Sequence, residues 1–147
     1  MLFMEFDWTN FPFTDYAAAK SFASSFYSKI GRIKCPALDD EYVAFTRKGI
    51  GHILYKSSRN HKDIVHRLSL LQHAEAIIMD PYAKIEYRLE DEKEYLKKNG
   101  EYKLYEVKSQ YWTFKKQINP SLTVKVVVRQ VEQGGKYFYS IMKYDGP

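Results

Sequence analysis

Three of the chain's four histidines, His52, His61 and His66, fall within the stretch GIGHILYKSSRNHKDIVHR (49–67). The same stretch holds Lys56, Arg59, Lys62 and Arg67 against one acid, Asp63. Histidine changes charge near neutral pH, so it can take or give a proton under working conditions. Arginine and lysine bind phosphate oxygens and offset charge that builds up at phosphorus. These residue types together suit proton transfer at a phosphate ester. His52 is flanked by Gly49 and Gly51, which leave it accessible, and reads as a base or acid. His61 reads as its complementary proton carrier, with Lys56 and Arg59 as phosphate ligands. Arg67 extends the basic surface from the following helix, or is simply solvated there. His61 also fits the start of that helix near Asp63. His66 and His73 lie seven apart on a largely apolar helix and read as buried structural residues.

A second constellation lies near the C-terminus, in VKVVVRQVEQGGKYFYSI (124–141). A Gly-Gly pair between two strands suggests a two-residue primed turn at Gly134-Gly135. Counting outward, Val131 then faces Phe138, Gln130 faces Tyr139, and Arg129 faces Ser140. An arginine beside a hydroxyl in otherwise apolar strands makes a phosphate site, with Arg129 as charge donor and Ser140 as orienter. Alternation puts Phe138 on the Ser140 face, where it can stack on a base, and Tyr137 and Tyr139 on the other. Arg129 also reads as a solvent-facing residue of an exposed sheet.

These groups need a frame. TDYAAAKSFASSFYSKIG (14–31) reads as a helix with Thr14 as N-cap and Gly31 as the closing glycine. EYVAFT (41–46) is a short strand, followed by a turn and short helix. Residues 63–79 form a second helix, capped by Asp63 and stopped by Asp80-Pro81. AKIEYRL (83–89) is a strand, and EDEKEYLKKNG (90–100) is a solvated helix turn or long hairpin loop. Strands follow at 101–116, 122–132 and 136–144. Helices first and a sheet after make an α+β chain, with N-terminal helices on a four-stranded antiparallel sheet.

The chain has 147 residues, a net charge of +5 and a pI near 9.1, which favours a polyanionic partner. Its length fits one domain over 1–147. Thirteen tyrosines and nine phenylalanines serve as strand formers or as stacking surfaces for bases. The single cysteine, Cys35, excludes an internal disulfide and fits a reducing cytoplasm. The N-terminus carries Glu5 and Asp7 and no basic leader, and no apolar run reaches the length of a membrane span. No zinc-ligand spacing, phosphate-cradling glycine loop, nucleophile elbow or dinucleotide fingerprint is present, so neither a metal nor a cofactor is expected.

Three segments resemble the barnase/colicin/RelE-type superfamily of metal-independent ribonucleases, in particular its phage-associated nuclease domains. They are FTRKGIGHILYKS (45–57), with a glycine turn and a His-Ile pair, the helix RLSLLQHAEAIIMDP (67–81), and the closing hairpin at 124–141. The resemblance spans roughly residues 40–145 as a ribonuclease-like core and leaves 1–39 as an N-terminal helical extension. It departs from the pattern after His52, where Arg59 and His61 follow at seven and nine residues. The resemblance implies RNA cleavage by 2′-hydroxyl attack, with His52, His61, Arg129 and Ser140 at the reacting phosphate. Lys56, Arg59, Arg67 and Phe138 would hold RNA, either tRNA or mRNA. It further implies a toxin or effector from a phage or mobile element, with an immunity or antitoxin protein as possible partner. A non-catalytic module that binds RNA or protein through the same basic face is the alternative. A third reading is an interaction protein whose aromatic surface forms a dimer.

Overall fold

The computed structural model describes residues 6–56 and 59–145. Glu5, part of the acidic start noted above, lies outside the described residues. Helix α1 (Tyr16–Ser28) is capped by Asp15, whose carboxylate accepts from the Ala18 amide, and not by Thr14. Its Ala19, Ala23 and Phe26 form one buried stripe at helical spacing. Gly31 follows in the left-handed conformation (φ 72°) that glycine adopts without strain.

Strands β1 (Arg32–Cys35) and β2 (Glu41–Ala44) pair antiparallel. Helix α2 (Arg47–Leu54) comes next, then α3 (His61–Leu70), a single 3₁₀ turn at Leu71–His73, and α4 (Ala74–Ile78). The predicted helix over 63–79 therefore starts earlier and breaks in the middle. Its cap is Asn60, whose side chain accepts from the Asp63 amide. Asp63 instead turns its carboxylate to Arg59 (3.6 Å) and Arg67 (3.4 Å).

Four strands complete the sheet: β3 (Lys84–Lys98), β4 (Glu101–Asn119), β5 (Leu122–Val131) and β6 (Lys136–Lys143). The order is β1-β2-β6-β5-β4-β3. Every pair is antiparallel except β2 with β6, which run parallel at Val43–Lys136 and Ala44–Tyr137. The α+β class holds, but the sheet has six strands and is mixed, not four and antiparallel. The β1–β2 hairpin, added along the edge of β6, accounts for the difference. Residues before 40 are no appendage: Trp8, Phe11 and Phe26 share one buried cluster with Phe114 and Ile141. Cys35 is fully buried at the end of β1, and burial pushes its thiol pKa up.

The segment 90–100 is neither helix nor loop. It belongs to one long hairpin that turns at Asn99-Gly100, both with positive φ (53° and 81°), as a primed two-residue turn requires. Strand β4 pairs with β5 only from Ser109 onward, so residues 91–108 form a two-stranded arm.

The β5–β6 connection also differs from the prediction. Glu132, not a glycine, takes the left-handed conformation (φ 51°), and the loop spans residues 132–135. The register then runs Arg129–Tyr137, Val128–Phe138 and Val127–Ser140, leaving Tyr139 as an extra residue. Arg129 therefore faces Tyr137, not Ser140. Lys125 faces Met142. The inserted residue switches the alternation of β6. Phe138 and Ile141 enter the core beside Val126 and Val128, while Tyr137, Tyr139 and Ser140 share the opposite face.

Candidate nucleic-acid interface

Helix α2 sits where β2 leaves the edge of β6. Gly49 makes this possible: a Cβ there would collide with the Phe138 carbonyl oxygen and the Tyr27 hydroxyl. Its sequence role is close packing, not access to the neighbouring histidine. Three residues on, the His52 ring lies against Tyr139, with centroids 4.1 Å apart. Arg59 returns to close α2, donating from Nη1 to the carbonyls of His52 (2.6 Å) and Ile53 (3.3 Å). These are the orphan acceptors of a helix C-terminus. One turn into α3 from Asp63, Arg67 donates to the Ile141 carbonyl (3.3 Å) and lies 3.5 Å from Ser140 Oγ.

The result is a cavity of about 390 Å³ between the α2–α3 corner and the sheet. His52, Lys56, Arg59 and Arg67 form one wall, and Arg88, Lys125, Tyr111, Tyr139 and Ser140 contribute the other. Glu92 is the one carboxylate among the lining residues. It accepts from the Tyr111 hydroxyl (2.7 Å) and from Arg129 Nη2 (2.9 Å). Burial alone would raise its carboxyl pKa, but bonds from Ser109, Tyr111 and Arg129 outweigh this and hold it below the usual range. Burial and the Glu92 carboxylate push the Tyr111 hydroxyl well above its ordinary value.

His52 is strongly altered by this setting. Burial lowers its pKa first, and the surrounding charges of Arg59, Lys56, Arg67 and Arg129 lower it further, to about 4. Its imidazole is therefore neutral at pH 7 and a weaker base than a free imidazole. Its buried Nδ1 finds no hydrogen-bond partner among the described residues.

The structure brings together His52, Lys56, Arg59, Arg67 and Ser140. Three other predicted residues stand elsewhere. His61 is the first residue of α3 and stacks on Tyr16 of α1 (3.8 Å, 5° between planes), outside the cavity. Phe138 has no exposed surface and packs on Phe45 (5.1 Å), so it is a core residue and stacks on no base. Arg129 is buried beneath the arm: Nη1 donates to the Tyr137 hydroxyl (2.7 Å), and Nη2 to Glu92 (2.9 Å), Glu94 (2.9 Å) and Ser109 (3.2 Å). It reaches the site as a charge behind Glu92 and as the anchor of the arm. His66 is exposed, while His73 is partly buried with a pKa lowered by that burial.

Arg88, Glu92, Tyr111, Lys125 and Tyr139 were not assigned to the site from sequence. The signal for three of them was period-two spacing, Arg88–Glu90–Glu92 on β3 and Tyr111–Thr113 on β4. Tyr139 carried no signal, since its face follows from the β5–β6 register that the loop over 132–135 sets. Among the described residues, no group of three or more His, Cys, Asp or Glu is placed to hold a metal ion. No described helix is long and apolar enough to cross a membrane. No protein-family model, curated protein or solved structure matches the chain.

Proposed function

We propose that the chain is a metal-independent endoribonuclease whose basic cavity holds the scissile phosphate of RNA. The observation that carries this reading is one neutral imidazole, His52, set among Lys56, Arg59, Arg67, Arg88 and Lys125 around a single cavity. His52 takes the proton from the 2′-hydroxyl. The 2′-oxygen attacks phosphorus, the bond to the 5′-oxygen breaks, and a 2′,3′-cyclic phosphate and a 5′-hydroxyl result. The 5′-oxygen leaves with a proton from Lys56 or water, since His61 lies outside the cavity. Arg59 and Arg67 are held by Asp63 and by backbone carbonyls, so they present fixed charge to the phosphorane at no reorganisation cost. Ser140 steadies Arg67. A bound phosphodiester offsets the surrounding cations and raises the His52 pKa, which favours proton uptake once substrate is seated.

A cytoplasmic toxin or effector role belongs to the same reading, as does an immunity or antitoxin partner. Such a partner would bring carboxylates to the cavity.

One observation favours a second reading, a domain that holds RNA without cutting it. Among the lining residues His52 is the sole histidine, and Glu92 is locked to Arg129. Incubating tRNA and mRNA with the protein in EDTA, beside His52→Ala, separates the two. Cleavage by wild type alone, leaving cyclic phosphate ends, supports the enzyme. Salt-sensitive binding without cleavage by either protein supports the module.

A further inference from the structure

The arm at 91–108 presents two unlike faces. Its inner face carries Glu92, Glu94, Tyr105 and Val107 and is wholly or partly buried. Arg129 ties it down through Glu92 and Glu94, and Lys48 reaches Glu94 at 3.5 Å. The outer face has no covering element among the described residues, yet it holds the most exposed rings of the sheet. Tyr95 is 68% exposed, Tyr102 is 72% exposed, and Leu104 is 49% exposed.

Register fixes how these groups stand. Tyr95 lies opposite Leu104, and Lys97 lies opposite Tyr102. The two rings are thus diagonal neighbours on adjacent strands, about 7–8 Å apart at their Cα atoms. Lys93 and Lys97 flank Tyr95 on the same strand and face, and the Lys97 ammonium stands 5.9 Å from the Tyr102 ring centre. On this outer face Lys93, Lys97 and Lys108 stand against Asp91 and Glu106, with Glu106 opposite Lys93 and Asp91 paired with Lys108 (3.4 Å), so Lys97 beside Tyr95 and Tyr102 has no carboxylate opposite it. Lysines beside exposed rings complement a chain of phosphates and bases, and suit an apolar protein surface poorly.

We infer that the outer face of the β3–β4 arm is a binding platform for single-stranded RNA, with bases stacked on Tyr95 and Tyr102 and phosphates held by Lys93 and Lys97. This rests on the nuclease reading for its choice of nucleic acid, and it extends that site along the strand. Open sheet faces with aromatics on neighbouring strands hold bases in this manner, and each stacked base is sequence-tolerant. The platform adjoins the cavity: Tyr95 follows Glu92 by three residues on β3, about 10 Å at ~3.3 Å per residue. A strand passing over the β3 edge meets both.

The test is binding of a twelve-nucleotide 2′-O-methyl RNA, which cannot be cut through its 2′-oxygen, measured by fluorescence anisotropy. Tyr95→Ala with Tyr102→Ala is compared with Tyr82→Ala, a ring 91% exposed outside the arm. The arm variant is expected to bind about 5- to 150-fold more weakly for each ring that stacks, and Tyr82→Ala to bind as wild type. Lys93→Gln with Lys97→Gln is expected to lower the slope of affinity against salt by about 1.4, the two phosphates lost on a single strand. Equal affinity of wild type and the double tyrosine variant would overturn the platform, even if unmodified RNA is cleaved. Arm-dependent binding without any cleavage would retain the platform and remove the nuclease reading instead.

Discussion

His52, Lys56, Arg59 and Arg67 reach the cavity from one short segment, whereas Arg88, Glu92, Tyr111, Lys125 and Tyr139 reach it from four strands. The first wall is local. Two short helices and a capping arginine hold it, and its residues stand close in sequence because they stand close in space. The second wall is non-local. It depends on the register of three strand pairs, a bulge, and an arm folded over Arg129. The helical wall supplies charge and the proton acceptor, and the sheet wall supplies shape and the single carboxylate.

If the helical wall carries the chemistry, His52→Ala lowers the rate of RNA cleavage by about 10²–10⁴-fold while RNA affinity changes little. An equal loss of both would make His52 a binding residue only, and single-turnover kinetics separate the two.

The sheet wall is sharpened by a neighbouring pair. Phe138→Ala is expected to cost about 3–5 kcal/mol of stability, because it empties a fully buried site. Tyr139→Ala should cost clearly less and weaken RNA binding. Urea unfolding measures both, and the reverse ranking would mean that β6 pairs with β5 in the register that turns Phe138 outward and Tyr139 into the core.

Removing the anchor tests the arm. Arg129→Met leaves Glu92 and Glu94 without their shared cation, at a cost of about 3 kcal/mol. Hydrogen exchange should quicken over 91–108 more than over the helices. Unchanged exchange in the arm would show that Arg129 does not hold it.

The His52 pKa sets a pH dependence. It is about 4 in the folded chain, against about 6.5 in an unfolded one. Between those values the unfolded chain binds more protons, so folding stability drops as pH falls from about 6.5 to 4. The loss is on the order of 1–3 kcal/mol and is absent in His52→Gln. In the same way, the acid limb of kcat/KM should lie near 4. A limb near 6.5 would mean that neither burial nor the surrounding cations lower the His52 pKa.

The smallest effect belongs to His61→Ala, which should change stability by under ~0.5 kcal/mol and leave cleavage intact. A loss comparable to that of His52→Ala would return His61 to the site.

The same comparison explains what the sequence disclosed. Helix periodicity and the Asp80-Pro81 stop are local signals, and they located α1 and the end of α4. The basic segment pointed to His52, Lys56, Arg59 and Arg67 for the same reason. Sheet faces were not legible, because one inserted residue reverses every side chain beyond it. The four-residue loop sets Arg129 opposite Tyr137, which puts Phe138 in the core and Tyr139 toward His52, and the bulge at Tyr139 then returns Ser140 to the Arg129 face. The Gly-Gly pair misled in a related way: the left-handed residue that shapes the loop is Glu132. Arg129 was visible as an unusual charge in an apolar strand. Its partners, Glu92 and Glu94, lie 37 and 35 residues away and could be found only through the fold of the arm.

The most direct test of the central claim uses a DNA oligonucleotide carrying one ribonucleotide, incubated with the protein in EDTA. The account predicts a single cut, 3′ of the ribonucleotide, ending in a 2′,3′-cyclic phosphate, with no cut in the all-DNA control. Cutting of the all-DNA strand, or failure to cut any ribonucleotide-containing strand between pH 5 and 8, would contradict it.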